Sequence, residues 1–187
     1  MNKYIRALGV YPTGLVKMGL LKLLHGASFE GPALCQVSLH TEITLDRGGR
    51  LQIGQGFKMR AGAILRVRRG AVCRIGKNVS LNTSNMLACQ ESVTLGDNVL
   101  LSPNVQIYDH DHDYKAAGGV AAMKYRTGPV VIGSNVWIGA NCVILRGATI
   151  GDNCVIGANT VVRGNIPANA VVTQKRETVI EIREAER

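Results

Sequence analysis

The second half of the chain repeats with a period of six residues, and this period constrains the fold more than any other feature. One aliphatic residue recurs at every sixth position, and glycine follows four of the six: Ile132, Ile138, Ile144, Ile150, Ile156 and Val162. Mostly small residues stand four positions after each: Val136, Cys142, Ala148, Cys154, Thr160 and Ile166. A helix repeats every 3.6 residues and a strand every two, so neither explains this pattern.

Short strands wound round a triangular prism do produce a period of six, because each face carries one inward aliphatic residue and each corner makes a turn. Three such hexads form a coil, and a coil buries its apolar side only by stacking on another coil. With short insertions the phase extends backwards through four earlier triads, of which the first is frayed: Leu95, Leu101, Ile107; Ile75, Leu81, Leu87; Ile53, Met59, Leu65; and Ala33, Leu39, Leu45. Aromatic residues make up only 4% of the chain, which also favours an aliphatic interior.

The sequence therefore predicts an all-β fold, a parallel β-helix of about five to six coils. It divides into an N-terminal helical segment (1–30), the β-helix (31–170) and a C-terminal tail (171–187). The longest break in the phase is predicted as a loop over 113–131, inserted between two coils, and long loops in compact repeats often carry function. The N-terminal segment is predicted either to cap the open end of the β-helix or to lie on an anionic membrane.

Charge and cysteine content narrow the partners and the compartment. The formal net charge of +9 suits an anionic partner, but the basic clusters lack interleaved aromatic residues, so nucleic acid is not expected. The five cysteines show neither disulfide-rich density nor metal-ligand spacing, which indicates a reducing cytoplasm. Charged residues interrupt the leucine-rich N-terminal segment too early for a membrane span, although contact with the inner membrane face stays open.

The densest polar motif is Tyr108-Asp-His-Asp-His-Asp113, directly before the predicted loop. One histidine with a neighbouring carboxylate is the arrangement that a general base needs. Histidines two residues apart on a strand also share a side, so zinc ligation is a second interpretation, and a solvated loop is a third. Zinc needs three or four converging ligands, whereas the other histidines lie far upstream. No nucleophile is indicated, since Cys142 and Cys154 occupy small inward positions and Ser102 lies in a repeat turn.

Four stretches make the chain resemble the hexapeptide-repeat acetyltransferases of the maltose, galactoside and polysaccharide O-acetyltransferase type: Ile75 to Asn78, Leu95 to Val99, Ser102 to Val105 and Val136 to Gly139. The resemblance covers roughly residues 51–166. It implies a left-handed β-helix, a homotrimer with active sites between subunits, and acetyl-coenzyme A as co-substrate without a metal. Ungapped matching to the family pattern places the catalytic base at His112, with His110 as the second candidate.

The same resemblance implies the remaining site residues. The acceptor side would comprise Asn82, Tyr108, Asp109 and Trp137, and the single tryptophan is expected on the outside of its strand, where something covers it. Backbone contacts to the pantetheine arm would come from Gly139, Ala140 and Ala158, with Arg163 near the later part of the coenzyme. The tail departs from the family's usual closing turn, so Lys175 or Arg176 would contact the nucleotide end instead.

The sequence thus predicts an acetyl-coenzyme A dependent O-acetyltransferase whose acceptor is a carbohydrate hydroxyl, on a polysaccharide or lipopolysaccharide precursor. The hydroxyl would attack the thioester directly, with a histidine as base and a backbone N–H stabilising the oxyanion. Two alternatives remain, a zinc-dependent β-helix hydratase of the carbonic anhydrase type and a non-catalytic β-helix scaffold.

Overall fold

The computed structural model describes residues 3–175, 177 and 179–181, with side chains from residue 10 onwards. One helix, α1 (Lys3–His25), leads through a 3-10 turn (Gly26–Ser28) into short strands. The strands are β1 (Phe29–Glu30), β2 (Gln36–Val37), β3 (Glu42–Leu45), β4 (Arg50–Ile53), β5 (Lys58–Met59), β6 (Ile64–Val67), β7 (Val72–Ile75), β8 (Ser80–Leu81), β9 (Met86–Cys89), β10 (Ser92–Leu95), β11 (Leu100–Leu101), β12 (Gln106–Tyr108), β13 (His110–His112), β14 (Tyr125–Thr127), β15 (Val130–Ile132), β16 (Trp137–Ile138), β17 (Val143–Ile144), β18 (Thr149–Ile150), β19 (Val155–Ile156), β20 (Val161–Val162), β21 (Asn165–Ile166) and β22 (Val171–Val172).

These strands form the three faces of a parallel β-helix. Face A stacks β1, β4, β7, β10, β15, β18 and β21; face B stacks β2, β5, β8, β11, β16, β19 and β22; face C stacks β3, β6, β9, β12, β17 and β20. Six coils are therefore complete, and the last two strands begin a seventh. The predicted β-helix of about five to six coils with a helical N-terminal segment is confirmed.

The hexad residues stack in register along each face. On face B, for example, Leu101 pairs with Leu81 on one side and with Ile138 on the other, and Ile138 pairs in turn with Ile156. All four side chains are at most 1% exposed. Burying one such side chain is worth roughly 1.5–3 kcal/mol, so the stacked aliphatic column supplies most of the driving force for the fold.

Asparagines turn the chain at the corners. Asn98, Asn135 and Asn153 all have φ near +58°, a left-handed conformation that asparagine tolerates better than most residues. Their side chains also form a ladder, because the Nδ2 of Asn98 donates to Asn135 Oδ1 at 2.9 Å and the Nδ2 of Asn135 donates to Asn153 Oδ1 at 3.2 Å. A second ladder runs through Asn104, Asn141 and Asn159. The corners after faces A and B are thus each held to the neighbouring coil.

The prediction for the first coil was wrong in phase. Ala33 and Leu39 are exposed, whereas Phe29 and Val37 are buried and pair with residues of the second coil. The cause is Gly31, which stands where a hexad aliphatic would mark the phase. A Cβ at Gly31 would lie 2.6 Å from the Phe29 ring, so the phenyl group fills the space that the missing side chain leaves.

The chain leaves the column between the fourth and fifth coils. Strands β13 and β14 form an antiparallel hairpin, and a 3-10 turn at Gly119–Ala122 lies in the segment that connects them. The loop predicted over 113–131 is therefore partly ordered as strand, since β14 lies inside it and β15 begins at Val130. The hairpin carries both motif histidines away from the faces of the column.

Helix α1 covers the free edge of the first coil. Met18 and Leu21 are buried against the coil, and a Cβ at Gly14 would clash with the carbonyl oxygen of Cys35. The Lys17 ammonium donates to the carbonyl oxygens of Ser38, Leu39 and Thr41. An uncovered strand edge would present unpaired backbone groups to other chains, so the helix acts as a cap.

Candidate active site

The motif that begins at Tyr108 lies at the junction of the column and the hairpin. Tyr108 is the last residue of β12 and His110 is the first of β13, so Asp109 alone links the two strands. Where the hairpin returns, Gly128 N–H donates to the Asp109 carbonyl oxygen at 2.8 Å. This bond closes the base of the hairpin and fixes the backbone on which the motif side chains are carried.

The Asp109 carboxylate is completely buried and fully engaged. It accepts hydrogen bonds from the backbone N–H groups of Gln90, Glu91 and Ser92 at 2.7–3.0 Å. Burial by itself would raise the pKa of this carboxyl, but the hydrogen bonds from His110, Gln90 and Glu91 outweigh it and hold the pKa below its ordinary value. Asp109 is thus an ionised acceptor, and in this chain no part of its carboxylate faces solvent.

His110 is the histidine that this carboxylate orients. Its Nδ1 lies 2.9 Å from Asp109 Oδ1, and the side chain is only 16% exposed. The rings of Tyr108 and Tyr125 meet the imidazole edge-to-face, with centroids 6.2 and 5.3 Å away. Because Asp109 can only accept, Nδ1 carries the proton, and in the neutral ring Nε2 is left as the basic nitrogen.

His112 has different surroundings. It is exposed, and its ring lies 4.7 Å from the Tyr125 ring at a tilted angle. Between the two histidines, Asp111 turns to the other side of the strand and accepts from Arg146 Nε at 2.6 Å, which ties the hairpin to the fifth coil. Of the three motif aspartates, only Asp109 contacts a histidine.

A second group of predicted residues comes together at the corner that follows face B. Gly139 N–H donates to Ile156 O at 2.7 Å, and Asn159 N–H donates to Ala140 O at 2.8 Å. A Cβ at Gly139 would lie 2.6 Å from the backbone nitrogen of Ala158. Gly139, Ala140 and Ala158 therefore stack on neighbouring coils, and their exposure rises from the buried Gly139 through the half-buried Ala140 to the exposed Ala158.

The predicted basic residues lie beyond this corner. Arg163 follows β20 and is exposed, as is Lys175 in the tail. Gln174 brings the tail back to the column, because its side-chain amide donates to Val161 O and accepts from Val161 N–H, both at 3.0 Å. Arg176 lies outside the described residues.

Trp137 and Asn82 stand apart from the histidines within one chain. Trp137 is on the outer side of β16, as predicted, with half of its surface exposed, and its Nε1 donates to Ser102 Oγ at 3.0 Å. Asn82 is in the turn after β8, where its Oδ1 accepts from Thr83 N–H at 2.9 Å. The structure thus brings together four predicted residues, Tyr108, Asp109, His110 and His112. It leaves Asn82, Trp137 and the coenzyme-side residues on other coils or corners of the same chain.

Sequence reasoning missed Tyr125, Arg146 and Gln174. Tyr125 lies opposite His112 in the hairpin, and Arg146 holds Asp111 from the next coil. An antiparallel pairing of 110–112 with 125–127 leaves no periodic signal in so short a strand. Arg146 lies in a repeat turn and Gln174 in the tail, and for neither does the sequence indicate which residue it contacts.

Neither a metal cluster nor a membrane span is found in the part of the chain that the structure describes. No three His, Cys, Asp or Glu side chains there come close enough together to hold a metal ion. A zinc hydratase accordingly has no ligand set within the described residues of one chain. No described helix is long and apolar enough to cross a bilayer.

Known proteins similar to this chain identify its family. The family described as bacterial transferase hexapeptide (six repeats) matches residues 129–164. WbbJ of Escherichia coli (strain K12), provisionally named as a lipopolysaccharide biosynthesis O-acetyl transferase, is 35% identical over 132 residues, which span 66% of this chain and 67% of WbbJ. The chain belongs to the hexapeptide-repeat acetyltransferase family. Membership makes this protein an acyltransferase.

Other members of the family match shorter stretches. The galactoside O-acetyltransferase of Escherichia coli (strain K12) is 40% identical over 101 residues, which cover 52% of this chain and 47% of that enzyme. The chain therefore spans about half the length of this relative. Among solved structures, AntD, an N-acyltransferase from Bacillus cereus in complex with dTDP and 3-hydroxybutyryl-CoA, superimposes with a TM-score of 0.67 at 21% identity, covering 83% of this chain and 81% of AntD. At 21% identity, this similarity concerns the fold alone.

Proposed function

We propose that this acetyltransferase moves an acetyl group from acetyl-coenzyme A to a hydroxyl of a carbohydrate that is a precursor of lipopolysaccharide or another polysaccharide. The names of WbbJ and the galactoside O-acetyltransferase support a sugar hydroxyl as acceptor. AntD supports a coenzyme A thioester as donor, since its complex holds one. A cytoplasmic location, where this donor is made available and free thiols persist, belongs to the same proposal.

The single observation that carries the mechanism is the contact of His110 Nδ1 with the buried Asp109 carboxylate. A base must take the acceptor proton as the hydroxyl attacks the thioester carbon, and Nε2 of an imidazole oriented through Nδ1 is suited to this step. Asp109 then acts as a positioning residue. It fixes the tautomer and stabilises the imidazolium that forms, rather than contacting substrate as the sequence predicted.

This geometry favours His110 over His112 as the base, which reverses the order implied by the ungapped family match. His112 is exposed and stacks on Tyr125, and no carboxylate is described against its ring. An imidazole without an orienting partner must lose rotational freedom when it acts as a base, and this loss adds to the activation free energy. His110 avoids most of this cost because Asp109 already holds its ring. We assign His112 and Tyr108 to the lining of the acceptor pocket beside the base.

A homotrimer would complete the site. On one chain the histidines lie on the hairpin after face C, while Trp137 lies on face B and the coenzyme-side corner follows that face. Half-exposed Trp137 and Leu100 are adjacent on the outer side of face B, an apolar pair that a neighbouring subunit would cover. In such a trimer the two halves of the site would face each other across subunits, and the hairpin of one subunit would cover the tryptophan of the next.

The coenzyme would lie along the corner formed by Gly139, Ala140 and Ala158. Small side chains there allow the extended pantetheine arm to approach the backbone. Arg163 follows the last strand of face C, Lys175 lies in the tail, and both are exposed, so they would supply positive charge for the phosphates. Asn82 remains assigned to the acceptor hydroxyl and Arg176 to the nucleotide end, on the family resemblance alone.

Thiol release from acetyl-coenzyme A, measured with a panel of carbohydrate acceptors, tests the proposal. We expect His110→Ala to lower kcat by about 10²–10⁴-fold, the usual contribution of a general base. His112→Ala should mainly raise KM for the acceptor. His40→Ala is the matched control, because this exposed histidine lies in the first coil, far from the motif along the column.

The outcomes separate the parts of the proposal. Loss of turnover in His112→Ala alone would return the base to His112. If both histidine variants kept the turnover of wild type, neither histidine would be the general base. Wild-type protein that released no thiol with any acceptor would contradict the carbohydrate assignment, and coenzyme A binding measured by calorimetry on the same sample would show whether the donor assignment fails with it.

A further inference from the structure

From Val10 to His25, the outward side of helix α1 is a continuous apolar surface. From residue 10 onwards, the side that faces away from the first coil presents five aliphatic side chains that are between 50% and 79% exposed: Leu15, Val16, Leu20, Leu23 and Leu24. Tyr11 extends this surface towards the N-terminus and is 38% exposed. A solvated cap helix would place charged residues here, so this surface is built to be covered.

The two lysines of this stretch are turned away from the apolar side. The Lys17 ammonium donates to three carbonyl oxygens of the first coil and to Thr41 Oγ1. The Lys22 ammonium donates to the carbonyl oxygens of Gly26 and Phe29. Both charges are thus used to dock the helix, and the helix exposes leucine where an ordinary amphipathic helix would expose lysine.

Behind the helix, the next coils carry a belt of positive charge. Between residues 47 and 90 the chain has nine basic residues and no acidic one, a total that equals the net charge of the whole chain: Arg47, Arg50, Lys58, Arg60, Arg66, Arg68, Arg69, Arg74 and Lys77. Two of them are offset by pairing with acidic residues of the first coil, Arg66 with Glu42 and Arg68 with Asp46. The excess positive charge lies at the helix-capped end of the column.

We propose that the outer side of α1 is a membrane-docking surface that seats this end of the column on an anionic lipid bilayer. The helix would lie in the plane of the interface with its leucines about 5–10 Å deep in the headgroup and acyl boundary. Coils stack roughly 4.8 Å apart, so the second and third coils would stand at about headgroup level, within a Debye length of roughly 8–10 Å. Their basic residues are then placed to attract anionic headgroups.

A second copy of the chain is the main competing occupant of this surface. If two copies associated through their α1 helices, the basic residues of one copy would face those of the other. Each set would then lie about as close to the opposing copy as it would lie to the lipid headgroups in the membrane-bound state. Like charges that face each other across an interface repel, whereas the same basic residues attract anionic lipid headgroups. The combination of apolar helix and basic belt therefore selects an anionic bilayer over self-association.

Vesicle flotation with the full chain tests this inference. Vesicles of phosphatidylcholine with 30% phosphatidylglycerol are compared with pure phosphatidylcholine vesicles. We expect strong flotation with the anionic vesicles only. The double variant Leu20→Glu and Leu23→Glu should weaken binding on the order of 100-fold or more, since two aliphatic anchors are replaced by charges. Arg47→Gln with Arg69→Gln should weaken it on the order of tenfold and reduce its salt dependence.

The matched control is Val179→Glu with Ile180→Glu, which makes the same kind of change at two exposed aliphatic residues of the tail. This variant should float like wild type, and circular dichroism should show all variants folded. Absence of flotation with anionic vesicles, or equal flotation with both lipid compositions, would overturn the proposal. A wild-type particle that is larger than the Leu20→Glu and Leu23→Glu variant by light scattering, without lipid, would assign the surface to a second copy instead.

Discussion

Replacing Asp109 by asparagine should destabilise the protein far more than its single-atom change suggests. The carboxylate accepts three backbone N–H groups and the His110 ring in a site without solvent. Asparagine keeps one acceptor oxygen and turns an NH₂ donor towards N–H donors, so two charge-assisted hydrogen bonds are lost. At about 1.5–3 kcal/mol each, the free energy of unfolding should fall by about 3–6 kcal/mol, and the Tm by about 6–24 °C.

Urea unfolding at several pH values gives a second readout. Folding lowers the pKa of the Asp109 carboxyl, so its stabilisation is complete above the unfolded pKa of 3.8 and is lost as the pH falls through the folded pKa. The asparagine variant has no proton to bind at this position. The part of the stability gap that comes from the Asp109 charge should therefore narrow as the pH falls below about 4.

Asp111→Asn is the matched control, two residues further along the same strand. Its carboxylate pairs with Arg146, but both side chains are 31–44% exposed, and such pairs contribute about 0–1 kcal/mol. If the two variants lost equal stability, or if the Asp109→Asn deficit did not change with pH, the burial and ionisation assigned to Asp109 would be refuted.

Three further predictions concern the column. Gly96→Ala should cost about 1–3 kcal/mol in urea unfolding, because its Cβ would lie 2.7 Å from backbone in the next coil, whereas Gly19→Ala on the open side of α1 should add about 0.5–1 kcal/mol. Ile138→Ala should cost about 2–5 kcal/mol by the same measurement, since the residue is fully buried in the stack. Burial raises the pKa of the Cys35 and Cys142 thiols, so a thiol reagent at pH 7 should leave all five cysteines unlabelled until the chain is unfolded.

Most of the column could be predicted because its rule is local. An aliphatic residue at every sixth position predicts which face it belongs to and that its side chain points inward. The predicted residues from Ile53 to Val162 are all buried. The first coil could not be placed in phase because Gly31 has no side chain and Phe29, two residues earlier, fills the vacancy. A periodic signal fails wherever one residue takes over the volume of another.

The site was harder to predict than the fold. The motif offers three aspartates beside two histidines, and nothing in their order distinguishes them. The distinction comes from backbone N–H groups of the preceding coil corner, which bury Asp109, and from Arg146 of the following coil, which draws Asp111 away. Partners that lie 17 to 35 positions away along the chain decide which histidine is oriented. Their effect on the motif becomes visible only in three dimensions.

The two ends of the column differ in how they are closed. The first coil is sealed by α1, whereas the last described strand, β22, is bonded on one side to β19 and has no coil above it within residues 3–175. In a stack whose stability adds up between neighbours, a coil with a neighbour on one side opens more readily than one that is covered on both sides. Among the described coils, opening should therefore be directional: it reaches the coenzyme corner of the fifth and sixth coils early and the helix-capped end late.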